Sequence, residues 1–155
     1  MTENLIPQIR NAVRAVIIRD GAVLLQRKID GNGFEHYTLP GGAQEPGETL
    51  AEALQRECRE EVGADVEIID LLCIFDYFRP RLSSPQSTRH VLELLFRCTI
   101  DDDYAARNGP QPDRYQVDVL WAPISSIAAI GLVPADYAEL VIRAADKPVY
   151  VGRIG

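Results

Sequence analysis

The chain has 155 residues, 46% of them hydrophobic and 25% charged, the make-up of one globular domain with enough apolar side chains for a core. Its 16 Lys and Arg stand against 23 Asp and Glu, a net charge of −7, which argues against non-specific binding to nucleic-acid backbone. It lacks an apolar run long enough for a membrane span and an N-terminal signal stretch, so a soluble cytoplasmic protein with no membrane partner is expected.

Residues Ala12 to Arg19 and Ala22 to Arg27 are β-rich runs joined by Asp20-Gly21, a two-residue link that predicts a hairpin. Lys28 to Glu35 reads as a polar loop, and His36 to Pro40 as a short strand leading into Gly41-Gly42. Two adjacent glycines permit a close backbone approach that side chains would forbid.

The next stretch, GGAQEPGETLAEALQRECREEVGA from Gly41 to Ala64, predicts a tight loop and then a helix over Leu50 to Val62. Thr49 and Glu52 form a capping box, and Gly63 supplies the positive φ that ends a helix. At 100° per residue, Leu50, Ala51, Leu54, Cys58 and Val62 form the core-facing stripe, while Glu52, Gln55 and Arg59 face water. Glu57, Glu60 and Glu61 crowd one edge at i, i+3 and i+4, where like charges repel. A divalent cation resolves that repulsion, because hard cations take carboxylate oxygens; a solvated acidic face is the alternative.

After the helix, the apolar run from Asp65 to Tyr77 predicts a central strand bent at Asp70. Arg79 to Arg89 reads as a loop, with Pro80 and Pro85. Its Arg79, Arg81 and Arg89 are candidates for gripping substrate phosphates, since guanidinium matches phosphate oxygens; solubilising arginines are the alternative. His90 to Thr99 is another strand, with Val91, Glu93, Leu95 and Arg97 on one face. Glu93 in such a strand is costly to bury unless paired or metal-bound, and His90 reads as a hydrogen-bonding residue rather than a catalyst. Asp101 to Pro112 is a turn-rich loop whose three successive acids do not share a side. A last core strand follows from Arg114 to Trp121, then a short helix over Ile124 to Ala129, a longer one over Ala135 to Ala145, and an edge strand at Val149 to Val151. Cys58, Cys73 and Cys98 form no CXXC and read as buried free thiols.

From Gly42 to Ala64 the residues fall as GX5EX7REUXEEXGU, with Glu48, Arg56, Glu57, Glu60, Glu61 and Gly63 at fixed places and Cys58 and Ala64 at the two U positions. This resembles the signature of the Nudix hydrolases, in which U is a bulky aliphatic. At roughly 6% usage per residue type, all seven fixed positions match by chance on the order of 10⁻⁹ to 10⁻⁸ per starting point. The small side chains at the U positions affect packing rather than chemistry.

The resemblance implies an α/β fold, a mixed β-sheet sandwiched between helices in a single domain over residues 1–155. It implies hydrolysis of a nucleoside diphosphate linked to a moiety X, with ADP-ribose or another nucleotide sugar favoured as substrate over an oxidised nucleoside triphosphate. A nucleotide sensor without turnover and a partner-binding module are the alternatives. Gly41 through its carbonyl, with Glu57, Glu60 and Glu61, would hold Mg²⁺ or Mn²⁺. Glu57 or Glu60 would alternatively act as base, and Glu93 as a further ligand or base. Glu48 and Arg56 would orient the carboxylates from behind, and a homodimer follows from family habit alone.

Overall fold

The structure, a computed structural model, describes residues 5–81, 86–143 and 149–154. In chain order its elements are β1 (Arg10–Arg19), β2 (Ala22–Ile29), β3 (Glu35–Thr38), β4 (Gly41–Ala43), α1 (Leu50–Val62), β5 (Glu67–Arg81), β6 (Ser87–Thr99) and β7 (Gln116–Pro123). A 3-10 turn (Ile124–Ala129), α2 (Tyr137–Ile142) and β8 (Val149–Ile154) follow.

The expected hairpin forms, and Asp20 and Gly21 turn it with φ values of 52° and 75°, the positive-φ pair of a type I′ turn. The strands stay together only at Ile18–Val23 and Arg19–Ala22. Beyond that they part. β1 runs parallel to β6 and antiparallel to β4, while β2 takes β3 and β7. β5 lies antiparallel beside β6 and parallel beside β8, giving a mixed sheet of order β3-β2-β1-β6-β5-β8 with β4 and β7 branching off. The bend expected at Asp70 appears as register shifts between Ile68 and Asp70 and between Leu71 and Cys73.

Alternation along β1 divides the core in two. Val13, Ala15 and Ile17 pack under α1 with Leu54, Cys58 and Val62. Ala12 and Val16 face the other way, toward Ile127, Tyr137, Ala138 and Val141 of the 3-10 turn and α2. The result is helix, mixed sheet, helix, the layering expected. α1 spans the predicted residues, with the Thr49 hydroxyl accepting from the Glu52 N–H at 3.1 Å and Gly63 closing the helix at φ 65°.

Some expectations need correction. Ala51 is exposed and Ala53 is buried in its place, because α1 is rotated to bring Ala53 and Glu61 inward along with Leu54 and Cys58. Gly41–Ala43 is a strand rather than part of a loop, held by pairing with Ala12, Val13 and Arg14. Lys28 and Ile29 belong to β2 and Glu35 to β3. Arg79 to Arg81 and Ser87 to Arg89 are not loop but the paired ends of β5 and β6, since ladder hydrogen bonds outweigh the local turn signals of Pro80 and Ser87. The intervening 82–85 lie outside the described residues. Ile124–Ala129 winds as a 3-10 turn, and the expected longer helix is helical only over Tyr137–Ile142, with Ala135, Asp136 and Arg143 in turns and 144 and 145 outside the described residues. The three cysteines are free and buried. No described helix is long and apolar enough to cross a membrane.

Candidate active site

The loop from Asp101 to Asp113 fixes the C-terminal end of α1, whose last carbonyls have no partner within the helix. Tyr104 donates its hydroxyl to the Val62 carbonyl at 2.6 Å, and the amides of Gly109 and Gln111 donate to the carbonyls of Glu61 and Glu60 at 2.8 Å each. Gly109 lies so close that a Cβ there would stand 2.4 Å from the Glu60 oxygen. The helix bearing the acids is thus fastened by backbone contacts.

Arg56 organises the outer part of the site. Its Nε and Nη2 make a two-pronged contact with both oxygens of Glu48, at 2.6 and 3.0 Å, and Nη2 also donates to the Ala43 carbonyl at 3.1 Å. Its Nη1 reaches Glu57 at 3.2 Å and Glu60 at 3.5 Å. The Arg56 contact, helped by the Glu45 N–H, holds the Glu48 carboxyl down at about 2. Glu48 and Arg56 therefore tie the turn before α1 to the acidic edge.

Glu57 presses against β4, its carboxylate 2.6–3.0 Å from where a Gly42 Cβ would be. Burial raises its pKa against the pull of Arg56. Glu61 does not lie on the open edge. It is 3% exposed, and its Oε1 accepts from the Gln26 side-chain amide at 2.7 Å and the Gly41 N–H at 3.0 Å. Burial, with the nearby Asp113 charge, pushes it up to about 8. The Gly41 carbonyl accepts from Arg14 Nη1 at 3.1 Å.

Glu93, 2% exposed, is paired. Its carboxylate faces Arg14 Nε at 3.4 Å and accepts the Tyr137 hydroxyl, and burial raises its pKa. Residues from both faces of the sheet meet beside Gly41 and Gly42 of β4, which have no side chains. A cavity of about 260 Å³ is lined by Glu57, Glu61 and Asp113 on one side and by Arg10, Arg14 and Arg79 with Glu93 on the other. Glu60 is outside that lining, as are Arg81 and Arg89. His90 does as expected: its Nε2 lies 2.7 Å from Asp76 Oδ1.

Sequence reasoning missed Gln26, Lys28, Asp113, Arg10 and Arg14. Gln26 carried little signal, as the first polar residue after the apolar run AVLL; it is completely buried. Asp113 carried none: it depends on Lys28, whose ammonium at 2.5 Å overcomes burial and keeps Asp113 below its ordinary pKa.

Among the described residues, no three His, Cys, Asp or Glu side chains converge as a ready-made ion site. The acid oxygens are engaged by Arg56, Gln26 and the Gly41 N–H. The donor set nonetheless suits a hard cation: carboxylates and a carbonyl, with Glu57 and Glu61 both raised in pKa by burial despite the nearby guanidiniums.

Known proteins share this sequence pattern and this fold. The sequence profile of the NUDIX domain matches residues 8–143. The nucleoside triphosphatase NudI of Enterobacter sp. (strain 638) is 31% identical over 129 residues, 79% of this chain and 88% of that protein. A NUDIX hydrolase from Nitrosomonas europaea superposes with a TM-score of 0.69 at 21% identity, covering 96% of this chain and 80% of the other. An ADP-ribose pyrophosphatase from Streptococcus suis 89-1591 superposes at 0.63 and 18% identity, covering 96% and 100%; likeness at such identities concerns the fold. With all seven fixed positions of the signature present and the profile matched over most of its length, the chain belongs to the NUDIX family of pyrophosphohydrolases.

Proposed function

We propose that the protein hydrolyses a nucleoside diphosphate linked to X, giving a nucleoside monophosphate and phospho-X, with Mg²⁺ or Mn²⁺ as cofactor. The observation that carries this reading is the two-sided cavity, with Glu57 and Glu61 facing Arg10, Arg14 and Arg79. An acidic wall suits metal ions, a basic wall suits phosphate oxygens, and a diphosphate needs both.

Glu57, Glu60 and Glu61, with the Gly41 carbonyl, would hold the ion. A divalent ion bound there supplies Lewis-acid polarisation of phosphate oxygens and lowers the pKa of water. Glu57 lines the cavity and Glu60 does not, so Glu57 is the acid better placed to take a proton from the attacking water. Glu93 suits a different task from the base expected of it: engaged by Arg14 and Tyr137, it aims the guanidinium of Arg14. Arg56 and Glu48 hold Glu57 and Glu60 from behind. The buried thiols suit a reducing cytoplasm.

Nucleotide sugars such as ADP-ribose and nucleoside triphosphates both present the bond required; the charge of X separates them. Purified protein is incubated with Mg²⁺ or Mn²⁺ and a panel of both classes, products are followed chromatographically, and Glu57→Gln serves as control. Metal-dependent cleavage that disappears in the variant supports the assignment. Turnover that survives either metal removal or the substitution refutes it.

A further inference from the structure

The strand register puts four arginines outside the acidic edge on one face of the sheet. Arg79 of β5 is directly opposite Arg89 of β6, Arg81 is opposite Ser87, and Arg10 of β1 is opposite Val91, two residues along from Arg89. Alternation sends all four to the side that carries Glu93 and Arg14. Like charges directly opposite each other weaken a ladder, and the net charge of −7 shows that solubility does not require them. Among the described residues, none of Arg10, Arg79, Arg81 and Arg89 forms an ion pair or side-chain hydrogen bond. The Nε of Arg89 is shut off from solvent without a partner. Burial and the neighbouring guanidiniums hold Arg79 and Arg89 below the ordinary arginine pKa.

Beside them is a second, larger hollow of about 460 Å³, lined by Arg10 and Arg89 on one side and by Gln44 to Glu48 on the other. It shares Arg10 with the cavity between the acids and Arg14. Of its acids, Glu48 is already neutralised by Arg56, leaving Glu45. A substrate whose diphosphate lies in the first cavity therefore meets excess positive charge where it continues past Arg10.

Building on the diphosphate-hydrolase reading, we propose that X is itself anionic, a phosphate or polyphosphate group gripped by Arg10, Arg79 and Arg89, so that the preferred substrates are nucleoside polyphosphates rather than nucleotide sugars. Guanidinium supplies paired donors for such oxygens.

The test has two arms on the full chain. In the first, inorganic tripolyphosphate is titrated calorimetrically into metal-free protein in chelator. Arg79→Gln and Arg89→Gln should each weaken binding by ~10–100-fold, the cost of a charged hydrogen-bonded contact, while Arg89→Lys recovers part of the loss and circular dichroism reports the fold. Affinity unchanged in both glutamine variants overturns the proposal, whatever the enzyme turns over. In the second arm, kcat/KM with Mg²⁺ is compared for a nucleoside triphosphate and a nucleoside diphosphate sugar of the same base. The triphosphate should be preferred, and the arginine variants should erode that preference through KM. A wild-type preference for the sugar also overturns the proposal but leaves the hydrolase reading standing. If neither compound is cleaved, the hydrolase reading fails and the first arm alone decides the anion site.

Discussion

The side-chain amide of Gln26 donates to Glu61 across 2.7 Å, in a place where Gln26 is wholly buried and Glu61 nearly so. An acid buried against a neutral amide gains less than it loses by leaving water. Glu61 accordingly ionises only at about 8, against an ordinary 4.5. Below the ordinary value it is protonated in both folded and unfolded chains. Between the two values the folded protein keeps a proton that the unfolded chain has released, so stability falls as pH rises through that window. Glu57 and Glu93, also raised, act in the same direction. Glu48 and Asp113 are held below their ordinary values and act oppositely, at more acid pH. Calorimetric melting in chelator should therefore show Tm falling between about pH 5 and 8. Glu61→Gln should flatten the slope, and so should Mg²⁺, which favours the ionised form. A wild-type slope unchanged in Glu61→Gln would show that the buried acid is not its source.

Residues on the same helix should differ sharply in their effect on turnover. Glu57→Gln removes a carboxylate that lines the cavity, and a rate loss of at least ~10²–10³ is expected, the scale seen when a charge-stabilising group is lost. Arg59 is exposed and, among the described residues, its side chain pairs with Asp65 alone, at 3.9 Å, so Arg59→Ala should leave both rate and Tm nearly unchanged. Steady-state kinetics on the two variants checks this.

Neighbouring glycines should fail in different ways. Gly41 has φ 141°, and a Cβ there would stand 2.0 Å from the Val13 carbonyl oxygen, so Gly41→Ala has no comfortable backbone and should lose ~1–3 kcal/mol or more. At Gly42 the three atoms nearest the added methyl all belong to the Glu57 carboxyl group, at 2.6–3.0 Å. A side-chain end gives way easily, but this one belongs to the site. Gly42→Ala should keep most of its stability and lose its turnover, as thermal melts read beside rates will show.

Arg56→Lys keeps the charge and discards the fork. An ammonium cannot span both Glu48 oxygens while also reaching the Ala43 carbonyl, Glu57 and Glu60. The variant should fold and bind metal ~10–100-fold more weakly, as when a supporting contact behind a ligand is lost. Mn²⁺ titration followed by electron paramagnetic resonance measures it.

Much of the fold could be read locally. Asp20-Gly21, Thr49 with Glu52, and Gly63 each encode their own geometry within a few residues, and the structure has a turn, a cap and a helix end at those points. The strand ends around Arg79 and Arg89 were hidden because the ladder that holds them pairs residues about ten apart, while Pro80 and Pro85 dominate the local sequence between them. The depth of Glu61 was hidden for another reason. Helical spacing gives its angle relative to Glu57 and Glu60, but only the packed β2 supplies Gln26 on one side and β4 supplies Gly41 on the other. The second wall of the site was the least legible, since Arg14, Arg79 and Glu93 come from three different strands and meet only across the finished sheet.

The parallel pairing of β1 with β6, in which Ala12 lies beside Glu93, also sets the order in which the protein can be made. During synthesis β1, its hairpin and the acidic helix leave the ribosome well before β6 exists. Contacts so distant in sequence form late, because the intervening chain must first be closed into a loop. We expect a nascent chain that stops at the helix to carry the three glutamates with Arg10 and Arg14 but without Arg79 and Glu93, and to remain inert until β5 and β6 are released to complete the second wall.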